Sequence, residues 1–165
     1  MAEIMDIETA QDLEYLNFCM QETLRIRSPG IGTSQLELSQ DSRIGNITIK
    51  KGDAFIIDFY ALHFDKAQWQ RPNEFIPERF DTSNQLSLTP DGKKRHPNAF
   101  SPWAGGKRVC FGKTFAEMSM KIVATYITQA FNMKIVDKKH ESELPVGHFG
   151  MIGYNKIDVE FTKNE

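Results

Sequence analysis

The chain has 165 residues, 40% of them hydrophobic and 25% charged, with a formal net charge of -2. That length suits one domain of ordinary size, and the composition excludes wholesale disorder. A charge so close to zero gives no reason to expect a nucleic-acid or anionic-membrane surface, and no apolar run approaches the roughly 18 to 20 residues of a membrane span. Met1 to Asp12 is acidic rather than basic-then-apolar, so it is not read as a secretory signal. Two cysteines, Cys19 and Cys110, are too few for a disulfide framework and point to a reducing compartment. The expectation is a soluble, cytosol-facing chain.

The spacing predicts a helix over Thr9 to Arg27, where Thr9 with Asp12 resembles a capping box and Ser28-Pro29-Gly30 stops it. Leu13, Leu16, Met20 and Leu24 form one apolar stripe; Tyr15, Cys19 and Ile26 form another. A helix apolar on two sides is expected to be buried. Glu22 falls on the second stripe with Arg25 one turn further on, an awkward place for charges unless they pair. From Arg43 to Tyr60 the pattern changes to strands. Ile47 and Ile49 alternate with polar residues, Lys51-Gly52-Asp53 marks a turn, and Phe55 to Phe59 follows as a more buried run, so a β-hairpin is expected.

Ala61 to Lys107 has little periodicity and holds Pro72, Pro77, Pro90, Pro97 and Pro102. Its aromatics, Trp69, Phe75, Phe80, Phe100 and Trp103, argue for a packed meander, and long loops of this kind are often functional. Within it Lys93-Lys94-Arg95-His96 reads as a solvated loop rather than a nuclear-localisation or nucleic-acid patch. A second helix is expected over about Lys113 to Phe131, with Phe115, Met118, Ile122 and Tyr126 as one stripe and Val123, Ile127 and Ala130 beside it. Short strands, Met133 to Val136 and Ile157 to Phe161, follow.

The string with most chemistry runs from Phe100 to Gly112, directly before the second helix. A helix start presents unsatisfied N–H groups and partial positive charge, which favour a thiolate at Cys110; Arg108 adds a cation. Gly105, Gly106 and Gly112 let backbone turn sharply and approach a flat ligand. Such a thiolate suits a soft or borderline metal ion better than magnesium or calcium. Against this stands the commoner case of a cysteine that merely packs as a small hydrophobe. Gly112-Lys113-Thr114 mimics the end of a P-loop, but the glycine such a loop needs is Lys107 here. Zinc is a weak alternative, because Cys19, His63, His96, Cys110, His140 and His148 show no ligand spacing.

Three strings together resemble the cytochrome P450 family. Trp103-x-x-Gly106-x-Arg108-x-Cys110-x-Gly112 resembles its haem-ligand loop, in which Phe normally stands at the Trp103 position. Glu22-Thr23-Leu24-Arg25 resembles its Glu-x-x-Arg helix. Pro77-Glu78-Arg79-Phe80 resembles its Pro-Glu-Arg-Phe string, led in by His63-Phe64-Asp65, Trp69 and Pro72-Asn73-Glu74-Phe75. A lone Glu-x-x-Arg is common by chance; the order and spacing of all three are specific, and the likeness runs from about Asp12 onward.

The resemblance implies a mainly α fold with small β-sheets (α+β), residues 1–165 forming the C-terminal, haem-binding portion of the P450 domain. It implies a haem-dependent monooxygenase acting on an apolar small molecule with dioxygen. Electrons would come from NADPH through a flavoprotein reductase. Cys110 would be the catalytic group and metal ligand, the proximal thiolate on the iron of haem b, whose electron donation favours O–O cleavage. Loop N–H groups would temper that donation. Arg108 would pair with a haem propionate, and Trp103 would pack on the loop with its indole N–H a candidate donor to the sulfur. Gly106, Phe111 and Gly112 complete the implied cofactor-binding set. Glu22, Arg25 and Arg79 would form a buried ion cluster. Lys107 and Lys113 would either meet an acidic reductase or stand as solvated lysines. Ile31, His148 and Phe149 would border substrate.

The oxygen-activating helix with its acid–alcohol pair, which precedes the Glu-x-x-Arg helix in the family, is not among these residues. Neither is an arginine between Gly30 and Gln40, where many members place a propionate partner. The expectation is a C-terminal fragment, a truncated gene model or a shortened product, catalytically inactive alone. The alternatives are a haem-binding or partner-binding remnant and a haem-free scaffold. Any endoplasmic-reticulum anchor of a full-length eukaryotic member would lie outside these residues.

Overall fold

The computed structural model describes residues 13–136, 146–148, 151–153 and 156–164. The capping box at Thr9 and Asp12 lies outside them. Helix α1 spans Glu14–Ile26, with Leu13 at its N-cap giving no side-chain cap. Most of its residues are strong helix formers, and Pro29 bars continuation past Ser28. Its burial gathers in the last turns, at Glu22, Leu24 and Arg25. The expectation of burial along two sides therefore holds only there. Tyr15 is exposed, and its hydroxyl donates to Glu78 Oε1 at 3.1 Å.

The strand region differs from the hairpin expected at Lys51-Gly52-Asp53. Strands β2 (Ser42–Ile44) and β3 (Ile47–Ile49) make the hairpin, turning at Gly45-Asn46 with Gly45 at φ 58°. A turn with its first central residue at positive φ needs glycine there; Gly52, at φ 86°, also turns the chain, but toward a strand that pairs elsewhere. Strand β4 (Ala54–Phe55) pairs instead with β1 (Leu36–Glu37), antiparallel. The apolar run after Phe55 is not a buried strand: Ile56 and Ile57 are exposed. Phe59 opens helix α2, Phe59–Phe64, because Asp58 caps it, Oδ1 accepting from the Ala61 N–H at 3.0 Å.

Beyond α2 the chain proceeds through short 3₁₀ turns at Pro77–Phe80, Gln85–Ser87, Pro97–Ala99 and Gly106–Arg108. Proline at the first helical position starts two of them, where its missing N–H costs nothing. This meander is packed around Trp69, Ile76 and Ala99, all buried, with Phe80 edge-on to Phe100 at 5.0 Å. Phe75, expected in the packing, is 55% exposed. Arg95 also departs from expectation: it is folded into the packing while Lys93, Lys94 and His96 stay exposed.

Helix α3 spans Lys113–Ala130, and its apolar stripe lies open, with Phe115 79% and Tyr126 67% exposed. Asn164 Nδ2 donates to the Thr128 and Gln129 carbonyls at the helix end. There β5 (Phe131–Ile135) begins, paired antiparallel with β8 (Val159–Lys163); β6 (Val146–His148) pairs with β7 (Met151–Gly153). Helices with small two-stranded antiparallel sheets make this an α+β fold. Among the described residues no helix is long and apolar enough to cross a membrane.

One close approach holds the segment after α1 against the start of α2. Gly32 faces Asp58 in an isolated bridge, and a Cβ on Gly32 would stand 2.6 Å from the Ile57 carbonyl oxygen. Gly30, by contrast, has open space where its Cβ would be. Gly32→Ala is expected to cost about 1 to 3 kcal/mol, and Gly30→Ala no more than about 0.5, read from urea unfolding midpoints. Equal midpoints for the two variants would contradict the close approach.

Candidate functional site

Two side-chain groupings stand out, and a histidine joins them. The first is the ion cluster. Glu22 and Arg79 are fully buried and Arg25 is 1% exposed. Arg25 grips the Glu22 carboxylate with both arms of its fork: Nε donates to Oε2 and Nη2 to Oε1, each at 2.8 Å. From another part of the chain Arg79 Nε donates to Glu22 Oε1 at 2.9 Å, as does the Ile76 N–H.

One carboxylate cannot neutralise two guanidinium ions, so backbone dipoles supply the rest. Arg25 Nη1 donates to the His63 and Pro72 carbonyls at 2.9 and 2.8 Å, and its Nη2 to Glu74 O. Arg79 donates to the carbonyls of Gln70, Arg71 and Glu74. These carbonyls converge because the chain turns sharply at Arg71, which sits at φ 47°, a conformation uncommon for a residue with a Cβ. Burial, first, and the charges of Arg25 and Arg71 push the Arg79 pKa down, while Glu22 opposes this.

Trp69 is the hub of the cluster's far side. Its indole N–H donates to Leu62 O at 3.0 Å, and its ring faces three cations: Arg95 at 4.3 Å, Arg25 at 5.2 Å and Arg79 at 5.9 Å. Arg95 donates to Arg79 O at 2.6 Å and to Leu86 O at 3.0 Å. Its pKa falls to about 10, chiefly through burial and then through the Arg79 charge.

The second grouping is the cysteine loop. Ala104 at φ 60° and Gly106 at φ 60° fold the chain back, so that the Cys110 N–H donates to Trp103 O at 2.8 Å. Cys110 O in turn accepts from the Lys113 N–H, which ties the loop to the start of α3. The cysteine is exposed. Phe111 beside it is fully exposed, as are Val109 and Phe115 in large part. Arg108 and Lys107, in the turn before Cys110, and Lys113, at the helix start, are exposed too. Trp103 is half-buried, and a Cβ on Gly112 would meet the Cys110 sulfur at 3.8 Å.

His63 bridges the two groupings. It is wholly buried, its Nδ1 is 3.2 Å from Arg25 O, and its Nε2 accepts from the Ser101 N–H at 3.0 Å. Burial pushes its pKa from 6.5 down to about 4, with the Arg25 charge adding to the shift and the contact to the Arg25 carbonyl opposing it.

The structure thus gathers Glu22, Arg25 and Arg79 in one place and Trp103, Gly106, Arg108, Cys110, Phe111 and Gly112 in another. Gly30 forms a bridge with Met151, which brings the two segments expected to border substrate side by side; Ile31 is exposed there. Phe149 and the side chain of His148 lie outside the described residues. Sequence reasoning missed His63, Arg95 and Ser101 as contributors. A histidine inside an apolar helix turn is the only one of them that carries a visible signal.

Replacing Glu22 by Gln would leave two buried guanidinium ions facing one neutral amide. The expected loss is about 3 to 5 kcal/mol by urea denaturation. Glu74→Gln, which opens an exposed pair with Arg71, is expected to cost less than about 1 kcal/mol. Comparable losses would remove the cluster from its central place. For His63 the sign follows from a depressed folded-state value. Between about pH 6.5 and about 4 the unfolded chain binds more protons than the folded one, so stability falls as pH drops through that window. The full loss is about 3 kcal/mol. A His63→Gln variant should lack that part of the pH slope in the same denaturation series.

Comparison with known proteins identifies the family. The family model described as Cytochrome P450 matches residues 2–156. Cytochrome P450 709B3 of Arabidopsis thaliana is 35% identical over 152 residues, covering 90% of this chain and 27% of that protein. Cytochrome P450 3A11 of Mus musculus is 35% identical over 127 residues, covering 77% and 24%. Among solved structures, the retinoic acid bound cyanobacterial CYP120A1 superposes with a TM-score of 0.82 at 28% identity, over 97% of this chain and 35% of that one. The cytochrome P450DA heme domain does so with a TM-score of 0.85 at 25% identity, over 100% and 34%. The chain therefore spans about a quarter of the length of the curated relatives it matches. With its ion cluster, its meander and its glycine-flanked cysteine in the family's order, this chain belongs to the cytochrome P450 family.

Proposed function

We propose that this chain forms the cysteine side of the haem site of a haem-dependent monooxygenase, with the Cys110 sulfur as the proximal thiolate ligand of the iron of haem b. The observation that carries this is the exposed Cys110 on a folded-back loop, flanked in the chain by the uncovered apolar residues Val109 and Phe111, with Phe115 in the first turn of α3. Contiguous uncovered apolar surface marks a ligand or partner site. A flat, largely apolar ring system with acidic edges suits that surface, and exposed Arg108 suits the edges. When bound, the haem supplies dioxygen activation for oxidation of an apolar small molecule.

The chain's own residues have distinct tasks. The Cys110 N–H bond to Trp103 O and the Cys110 carbonyl bond to Lys113 N–H fix the sulfur at the start of α3. There the helix dipole favours an anion. Arg108, exposed in the turn before the cysteine, would hold a propionate through a charge-assisted contact. Trp103, in place of the family's usual Phe, closes the loop through its carbonyl, a role independent of the side chain. Gly106 occupies a left-handed conformation that residues with a Cβ resist. Lys107 and Lys113 present cations to an acidic face of a flavoprotein reductase that carries electrons from NADPH.

A second reading is favoured by the open stripe on α3, where Ile122, Val123 and Tyr126 face no cover. In it the chain is a remnant that binds haem or a partner without turnover. The two are separated by measuring the reduced carbon-monoxide difference spectrum and, in parallel, NADPH-driven oxidation with a reductase.

Reconstituted with haem, the 165-residue chain is expected to show the red-shifted Soret band of a thiolate-bound carbonyl complex. Cys110→Ala should lose it and Cys19→Ala should keep it. Retention of the band in Cys110→Ala would assign the ligand elsewhere and end this reading.

A further inference from the structure

The His63 side chain is hydrogen-bonded both to the ion cluster and to the segment that leads into the cysteine loop. On one side its ring nitrogen Nδ1 reaches Arg25 O, and its own carbonyl accepts from Arg25 Nη1, so helix α1 and helix α2 are stapled twice. On the other side Nε2 accepts from the N–H of Ser101. Ser101 begins the fold-back: its carbonyl accepts from the Ala104 N–H at 3.1 Å, which helps hold Ala104 at φ 60°. That fold-back aims Trp103 O at the Cys110 N–H. A continuous series of hydrogen bonds therefore runs from the Glu22 carboxylate through Arg25, His63 and Ser101 to the backbone of the cysteine.

The geometry points to His63 as the positioning residue of the cysteine loop. It is a neutral imidazole, protonated on Nδ1 and unprotonated on Nε2, that clasps Ser101 to the ion cluster and thereby sets where Cys110 sits. The inference rests on the reading of Cys110 as the working sulfur of this chain.

Three observations exclude a role as mere filler. An apolar side chain would fill the same space, yet it would leave the part-buried Ser101 N–H and the buried Arg25 carbonyl without their His63 partner. An imidazolium would present an N–H to the Ser101 N–H, donor against donor, so only the neutral form fits. Burial and the adjacent Arg25 charge keep the ring in that form at neutral pH. The ring is also held from the sides, stacked against Phe59 and tilted on Phe100. Its orientation is therefore restrained by ring contacts as well as by its hydrogen bonds.

The test reads tautomer, loop and sulfur separately, without haem. In the 15N-histidine-labelled 165-residue chain, two-bond proton–nitrogen correlation spectra are expected to show His63 with its proton on Nδ1. His63→Phe keeps the ring volume and removes both bonds. It should raise amide exchange across 101–112 by about fivefold, the effect of one lost hydrogen bond, and change the alkylation rate of the already exposed Cys110 in a Cys19→Ser background. Exchange in the last turns of α3 should stay unchanged. His63→Gln, whose carbonyl can still take the Ser101 N–H, should stay within about twofold of the parent chain. A proton on Nε2 in the parent chain overturns the proposal, and so does a His63→Phe loop that exchanges and alkylates like the parent. Failure of the carbonyl spectrum with an intact clasp would instead overturn only the haem reading.

Discussion

One carboxylate shared by two arginines is the constraint on which the rest of this structure leans. Glu22 lies in α1, Arg25 one turn further along, and Arg79 in a turn more than fifty residues away, so their meeting fixes how the meander folds over the helix. A buried ion pair is weak evidence for net stability, because desolvation offsets most of its attraction. Its consequence here is uniqueness. Each guanidinium has a planar set of donors that only one arrangement of carbonyls satisfies, and Gln70, Arg71, Pro72, Glu74 and His63 provide it. A meander with few strands or long helices has little else to specify its path.

The described residues bury at least as many polar and charged side chains as apolar ones: Leu24, Phe59, Trp69, Ile76, Pro77 and Ala99 against Glu22, Arg25, Ser28, His63, Arg79, Thr89 and Thr125. The core is thus centred on the ion cluster and not on an oily interior. Trp69 reconciles the two chemistries, since its faces attract cations while its area removes water. Around this stiff centre the cysteine loop and α3 present uncovered apolar side chains. The molecule divides into a part that is satisfied internally and a part whose chemistry faces outward.

Distance between those parts is bridged by backbone and by one histidine. The loop carries two left-handed residues, Gly106, which adopts that conformation freely, and Ala104, whose Cβ makes it need external support. That support arrives through Ser101 from His63. Helix α3 contributes from the other end by accepting the chain through Lys113.

The sequence by itself marked the two long helices and the strands at Ile47–Ile49 and Phe131–Ile135, and its motifs carried the α+β class through their family resemblance; the short helix Phe59–Phe64 fell in a stretch read as strand and meander. Periodicity places the C-terminal end of α1 and both ends of α3 within one residue, while α1 begins at Glu14, five residues after the expected Thr9; the glycines and arginine around Cys110 mark that loop as the place for chemistry. Two charges on an otherwise apolar helix face also announce, from spacing alone, that partners must exist. Only the tertiary structure decided which partners. Carbonyl oxygens of Gln70 to Glu74 have no side-chain signature, and a residue such as Arg95 in a Lys-Lys-Arg-His run looks solvated until Trp69 is placed beneath it. The hairpin shifted for a related reason: local turn signals at Gly45 and Gly52 are similar in kind, and only pairing with Leu36–Glu37 across the chain chose between them. Local pattern records what each segment wants to bury or expose; the identity of a long-range partner is a property of the folded whole.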